Sequence, residues 1–274
     1  MPGKDILVVV DNEESVARRL ALVAALAKRG DIRMTGMYVT GLPVTTAFSD
    51  LDGWAQLVDA YMTAQRAEAA KAERAFRAEA ARLKLDAEWH CREADMTEAV
   101  IGLTRLHDLV IMGQSNPDAP MNALRPGEVV LAAGRPALIV PYAGTFAEIG
   151  RHILVAWNGT REAARALHDA MFLIDGAETV TVLEIDPPGD EEDPDLRAAH
   201  VVEALQRRGV AAKAEITVSD GTPVADVILS LAADLTADLV VMGAWGHSRL
   251  REYVLGGASR GIFQEMTVPV LMSH

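Results

Sequence analysis

A cluster of glycines near the end of the chain follows an apolar run typical of a buried parallel strand. The run covers residues 239–242, and the glycines after it have the spacing G-x2-G-x9-G, at Gly243, Gly246 and Gly256. Residues 257–259 (GAS) then lead into a predicted helix. Backbone without side chains approaches a ligand closely, and N–H groups at a helix start attract anions. The pattern predicts a loop that grips a phosphate chain; two tight turns without a ligand are the alternative.

The spacing of these glycines is more specific than their number. It resembles the nucleotide loop of the universal stress protein family in its ATP-binding branch, and it is neither a Walker A loop nor a dinucleotide fingerprint. That family has Ser or Thr after the last glycine, whereas this chain has Gly257 there and a hydroxyl two positions on, at Ser259. The resemblance implies a stress-response protein that binds an adenine nucleotide, ATP, with or without Mg2+.

The resemblance also implies contacts outside the glycine loop. Asn158 ends a predicted strand at the position where the family has an acid that meets the nucleoside, and an amide both donates and accepts. Arg249 suits phosphate better than His247 does, although both also fit a solvated loop. Trp157 has two interpretations: its ring stacks on the base of the nucleotide, or it simply packs at the end of the strand. The predicted cofactor-binding residues are Ala156, Trp157, Asn158, Ile185, Met242, Gly243, Gly246, His247, Arg249, Gly256, Gly257, Ala258 and Ser259.

Three strand-like segments of the first half recur, in the same order, in the second half. They are residues 6–11 (ILVVVD) and 153–158 (ILVAWN), 108–113 (DLVIMG) and 238–243 (DLVVMG), and 136–141 (PALIVP) and 269–273 (PVLMS). Helix-like segments alternate with the strands, which is the pattern of parallel βαβ units. The sequence therefore predicts an α/β protein of two tandem, doubly wound, five-stranded parallel-sheet domains, residues 1–145 and 150–274.

Several helices of these domains have specific signals. Residues 55–85 carry an apolar stripe at helical spacing, which predicts a long helix packed on the core, with a partner-binding seam as the alternative. Residues 160–174 predict one continuous helix. Residues 224–233 predict a helix capped by Thr222 or Asp220, with Pro223 at its first position.

The first half lacks a matching glycine loop. Asn116 stands in place of the second glycine, Pro117 follows it, and residues 125–127 (RPG) stand where the last glycine is expected. Because proline offers no N–H to an anion, the phosphate loop of this half is predicted to be broken. Asp11 occupies the position that corresponds to Asn158.

Composition excludes several classes of partner. The net charge of −13 argues against a broad nucleic-acid surface and against a membrane surface. No apolar run approaches the ~20 residues of a membrane span, and the single cysteine, Cys91, excludes an internal disulfide. With no signal-peptide pattern at the N-terminus, the expectation is a soluble, cytoplasmic protein.

No catalytic constellation is evident in the sequence, so the expected role is sensing or regulation, with slow ATP hydrolysis at most. The alternative is a nucleotide-free interaction protein that acts through the long helix and the sheet edges. Residues 190–193 (DEED) are expected to form a solvated surface rather than a metal site. The resemblance further implies that the two halves pair about a pseudo-twofold axis, and it suggests a homodimer.

Overall fold

The computed structural model describes residues 4–41, 54–114, 123–146, 148–186, 197–245 and 257–274. Strands and helices alternate through these residues. The strands are β1 Lys4–Val9, β2 Ile32–Thr40, β3 Asp86–Glu93, β4 Leu109–Gly113, β5 Ala137–Val140, β6 His152–Trp157, β7 Thr179–Ile185, β8 Ala212–Thr217, β9 Leu239–Gly243 and β10 Val270–Ser273. The helices are α1 Glu13–Ala27, α2 Trp54–Leu83, α3 Met96–Thr104, α4 Pro126–Ala133, α5 Arg161–Asp169, α6 Met171–Ile174, α7 Ala198–Arg207, α8 Val224–Asp234 and α9 Gly257–Glu265.

The ten strands form one sheet in the order β3-β2-β1-β4-β5-β10-β9-β6-β7-β8. Within each half the five strands are parallel and doubly wound, as predicted. The halves meet at β5 and β10, which pair antiparallel with Leu138 opposite Leu271. This junction joins the two five-stranded sheets and gives the halves the twofold-like pairing that the resemblance implied.

Both faces of the sheet are buried under helices. In β1, Ile6 and Val8 belong to one apolar cluster, and Leu7 and Val9 belong to the other. The first cluster lies under α1, α2, α5, α6 and α7, and the second lies under α3, α4, α8 and α9. This two-sided burial explains why the central strands read as continuous apolar runs.

The long helix α2 packs on the first half, which confirms the core interpretation of its stripe. Its Phe76 side chain is fully buried and lies 5.1 Å, centroid to centroid, from the ring of Trp89 on β3. A Cβ atom at Gly36 on β2 would lie 2.5 Å from the Phe76 ring. The glycine is therefore needed for the helix to approach the sheet.

Two local predictions are wrong. Residues 160–174 form two helices separated at Ala170, where φ −86° and ψ −5° stay in the right-handed helical region but depart from ideal α-helix values, and the apolar spacing does not reveal a one-residue break. Helix α8 has Pro223 as its N-cap without a side-chain cap. Asp220 instead lies in a turn with φ +46°, and the Thr222 N–H donates a hydrogen bond to the Ser219 carbonyl in the same turn.

Within the described ranges, no helix has both the length and the apolar character that a membrane span requires.

Candidate nucleotide site

A cavity of about 250 Å³ opens at the carboxyl ends of β6, β7 and β9 in the second half. Strand β6 lies between β7 and β9, so the chain reverses its direction of strand addition at this point. Open α/β sheets place ligands at such a switch point. The cavity is lined by Ala156, Trp157, Asn158, Leu183, Ile185, Val224, Ile228, Met242, Gly243, Trp245, Gly257, Ala258 and Ser259.

Nine of the predicted binding residues lie around this cavity: Ala156, Trp157, Asn158, Ile185, Met242, Gly243, Gly257, Ala258 and Ser259. The other four, Gly246, His247, Arg249 and Gly256, lie outside the described residues, as do residues 190–193. The structure therefore brings the predicted strand ends and the start of α9 to one place.

Four residues of the described lining were missing from the predicted set: Trp245, which lies within the glycine segment, and three aliphatic residues. Leu183 lies two residues before Ile185, so both are on one face of β7, and Val224 and Ile228 are one turn apart on α8. Periodicity was the signal that would have found the aliphatic residues, because a strand has a side-chain period of two and a helix places residues i and i+4 together.

Gly243, the described glycine of the loop pattern, and Gly257, at the start of α9, have different surroundings. A Cβ atom at Gly243 would lie 2.5 Å from the backbone nitrogen of Ala163 and 2.5 Å from the carbonyl carbon of Glu162, at the start of α5. A Cβ atom at Gly257 would have no atom of the described residues within 4 Å. Gly243 is thus required by the packing of α5 on β9, and only Gly257 leaves space that a ligand can use.

Asn158 connects the cavity to the start of α5. Its side-chain oxygen accepts hydrogen bonds from the Thr160 hydroxyl (2.8 Å) and the Thr160 N–H (3.3 Å). Thr160 in turn caps α5 by accepting from the Ala163 N–H at 3.2 Å. Since the oxygen is engaged in this turn, the NH2 group is the part of Asn158 that remains to donate to a ligand.

No charged side chain belongs to the described lining of the cavity. Glu184, near the end of β7, is buried, and its negative charge is compensated within the protein. Its carboxylate accepts a hydrogen bond from the Ala198 N–H at 2.9 Å and forms an ion pair with Arg197 at 2.8 Å. At the start of α5, burial raises the pKa of Glu162, but hydrogen bonds and attraction to positive charge, chiefly from Arg161, together outweigh burial and leave that pKa below its usual value. An anion here would therefore depend on N–H and hydroxyl donors rather than on a described cation.

Among the described residues, no group of three or more His, Cys, Asp or Glu side chains is placed to hold a metal ion.

The second half of the chain matches a known protein family. Residues 150–274 match the model of the universal stress protein family. These residues form a universal stress protein domain. None of the curated proteins matches the chain.

Solved structures extend the fold similarity to both halves. A universal stress protein from Archaeoglobus fulgidus DSM 4304 superposes with a TM-score of 0.70 at 20% identity, covering 98% of this chain and 96% of that one. A functionally unknown protein from Pseudomonas aeruginosa PAO1 has a TM-score of 0.59 at 18% identity, with 98% and 92% covered. A putative universal stress protein from Pseudomonas aeruginosa UCBPP-PA14 has a TM-score of 0.56 at 17% identity, also with 98% and 92% covered. At these identities, the likeness shows a shared fold along nearly the whole chain.

The first half differs from the universal stress protein domain at the corresponding positions. Asp11, the counterpart of Asn158, forms an ion pair with Arg19, whose side chain is only 5% exposed. The Arg19 guanidinium also donates to the Val9 carbonyl. Burial raises the pKa of Asp11, but the attraction and hydrogen bond of Arg19 outweigh it, so the pKa lies below its usual value. The Asp11 carboxylate is therefore committed to an internal pair.

The start of α4 also departs from the start of α9. Pro126 is the first residue of α4 and has no N–H, whereas α9 begins with Gly257. Asn116 and Pro117, which the sequence placed in the broken loop, lie outside the described residues.

Proposed function

We propose that the universal stress protein domain of residues 150–274 binds an adenine nucleotide, ATP, and that the protein acts as a sensor or regulator in a stress response. The observation that carries this proposal is the cavity at the switch point, around which nine of the predicted binding residues lie. Membership of residues 150–274 in the family supports it independently.

The cavity walls divide into parts that suit different parts of a nucleotide. Leu183, Ile228 and Met242 provide apolar surface for a base, and the Asn158 NH2 group is placed to donate to a ribose hydroxyl. The first N–H groups of α9, at residues 257–259, have no acceptor within the helix and lie at the positive end of its dipole. They would receive phosphate oxygens, with or without Mg2+ bound to the phosphates.

The direct test is the nucleotide content and affinity of the purified full chain. Denaturing the protein and separating the supernatant by anion-exchange chromatography should release adenine nucleotide, and calorimetric titration of the stripped protein with ATP should give about one site per chain. One site is expected because Asp11 is already paired with Arg19 and α4 begins with proline. If no nucleotide is released and millimolar ATP gives neither heat nor a thermal shift, with or without Mg2+, the proposal is wrong.

A pair of valine variants tests the location of the site. Val224 lines the cavity and is 39% exposed at the first position of α8, whereas Val218 is 68% exposed and does not line it. Val224→Asp places a negative charge in the cavity wall, where it repels a bound polyphosphate, and at a helix start, where an acid favours folding. Its Kd for ATP should rise by about tenfold or more, equivalent to ~1.4 kcal/mol.

Val218→Asp is the matched control and should bind ATP as the unchanged protein does. Val224→Lys removes the same apolar wall with the opposite charge, so it should weaken binding less than Val224→Asp. Equal affinities for Val224→Asp and Val218→Asp would place the nucleotide elsewhere.

A further inference from the structure

Trp245 lies between the candidate site and the first half of the molecule. Its side chain lines the cavity, and its ring stacks on Phe263 of α9 with the centroids 5.9 Å apart and an angle of 27° between the planes. The outer edge of the same indole faces Gly127 of α4, in the first half. A Cβ atom at Gly127 would lie 2.9 Å from the indole Cη2 atom and 3.2 Å from Cζ2.

The backbone on the N-terminal side of Trp245 is held in place. The Ala244 N–H donates to the Ser273 carbonyl at 2.9 Å, and the Ala244 carbonyl accepts from the His274 ring at 2.8 Å. Trp245 itself has φ +51°, in the left-handed region that side chains rarely adopt. Such a conformation persists only where the surroundings fix it, so the indole has a defined place between α4, α9 and the cavity.

Gly127 has no local reason to be glycine. It is the second residue of α4, and its φ is not among the positive values of the described backbone. Alanine is the better helix former, so replacing a helical glycine normally stabilises a protein. What prevents a side chain at Gly127 is the indole of the other half.

We infer that Gly127 is a positioning residue of the site in the second half: by leaving room for Trp245, the first half sets the place of one wall of that cavity. This inference rests on the proposed function for its ligand but concerns a different part of the chain. The affinity of the second half for the nucleotide would then depend on α4 of the first half, through the contact between Gly127 and the Trp245 indole.

Three variants test this inference on the full chain. Gly127→Ala should push the indole from its place, lower the Tm by several degrees and weaken ATP binding about tenfold, within the usual range of coupling between sites. Gly102→Ala is the matched control, because Gly102 lies inside α3 of the same half and a Cβ atom there would have no atom within 4 Å among the residues that the structure describes. It should raise the Tm slightly and leave the Kd for ATP unchanged.

The double variant Gly127→Ala with Trp245→Ala completes a thermodynamic cycle. Without the indole, the added methyl group meets no clash, so Gly127→Ala should no longer lower the Tm of the Trp245→Ala protein. The 19F spectrum of protein labelled with 5-fluorotryptophan gives a readout without ligand: Gly127→Ala should shift the Trp245 signal, assigned from its loss in Trp245→Ala, and Gly102→Ala should not.

The outcomes separate this inference from the proposed function. If ATP binds and Gly127→Ala behaves like Gly102→Ala in Tm, Kd and 19F spectrum, the positioning role is wrong and nucleotide binding stands. If the thermal cycle and the 19F shift are as expected but no variant binds ATP, Gly127 positions the cavity wall and the proposed ligand is wrong.

Discussion

At the scale of single residues, Gly243 and Gly257 should respond differently to the same substitution. Gly243→Ala forces a methyl group to within 2.5 Å of the backbone of α5, and overpacking of this kind costs about 1–3 kcal/mol. Gly257→Ala places its methyl group at the start of α9 with no described atom within 4 Å, so its effect on the free energy of unfolding should stay within about 0.5 kcal/mol. Urea unfolding of both variants measures this difference. Equal losses would contradict the packing role of Gly243.

This difference also limits what glycine spacing alone reveals. Gly243 and Gly257, which the sequence places at a strand end and at a helix start, line one cavity, and their role in binding a ligand stays a prediction. The spacing could not show that Gly243 is excluded from carrying a side chain by residues 162–163, which come from a different βα unit. A close approach between segments about 80 residues apart has no signature in the spacing of either one.

The internal ion pair of the first half has a pH-dependent consequence. The pKa of Asp11 is lowered in the folded state, so its ionised form stabilises the fold above the unfolded value of 3.8. That contribution is lost as the pH falls through the lower, folded value. Asp11→Asn leaves the buried Arg19 without its counter-charge and should cost about 2 kcal/mol at pH 7, at the low end for a broken pair because the Asp11 side chain is 41% exposed.

Urea unfolding between pH 2.5 and 7 checks the sign of this effect. The stability difference between the unchanged protein and Asp11→Asn should be constant near neutral pH and should shrink below pH ~4. Asp59→Asn, an exposed change on α2, is the control and should stay within about 0.5 kcal/mol throughout. A difference that grows in acid would mean that the Asp11 carboxylate is not stabilised by Arg19.

At the scale of elements, Arg29, just after the end of α1, forms hydrogen bonds with the second half. Its guanidinium donates to the carbonyls of Leu173 (2.8 Å), Gly150 (2.9 Å) and Ile149 (3.2 Å). Arg29→Ala leaves these partly buried acceptors without their charged donor and should lower the free energy of unfolding by about 2–4 kcal/mol. Arg29→Lys should recover only part of the loss, because an ammonium group lacks the planar fork that reaches several acceptors.

The control for this effect is an arginine that bonds only within the second half. Arg208 pairs with Asp175 at 2.9 Å on the surface, and exposed pairs contribute about 0–1 kcal/mol. Chemical unfolding of Arg29→Ala and Arg208→Ala should therefore give clearly different losses. Similar small losses would show that Arg29 does not hold the halves together.

Elements were the most predictable level of this structure. The strand-like segments at residues 136–141 and 238–243 contain β5 and β9, because apolar runs between turn residues define buried strands. Arg29 gave no such signal, since its acceptors are backbone carbonyls about 120 to 144 residues away. The break at Ala170 was missed because α5 and α6 together keep a continuous apolar pattern.

At the scale of the whole molecule, the junction of β5 and β10 joins what the sequence predicted as two domains. Local periodicity placed both strands but did not pair them, and the family resemblance implied that the two halves pair without naming the strands that do so. Residues from both halves contribute to the apolar cluster on each face of the sheet: Leu138 and Leu271 lie in one, and Ile139 and Val270 in the other. Each half therefore completes the core of the other at this junction.

This shared core predicts one cooperative unfolding transition for the full chain. Separating the halves would expose Leu138, Ile139, Val270 and Leu271, all fully buried, at a cost of about 1.5–3 kcal/mol for each side chain. Calorimetry should give equal calorimetric and van't Hoff enthalpies, and far-UV circular dichroism and tryptophan fluorescence should report the same midpoint. Because Trp89 lies in the first half and Trp157 in the second, fluorescence samples both. Two resolved transitions would mean that the halves unfold independently, and the contact between Gly127 and Trp245 would then be too weak to couple them.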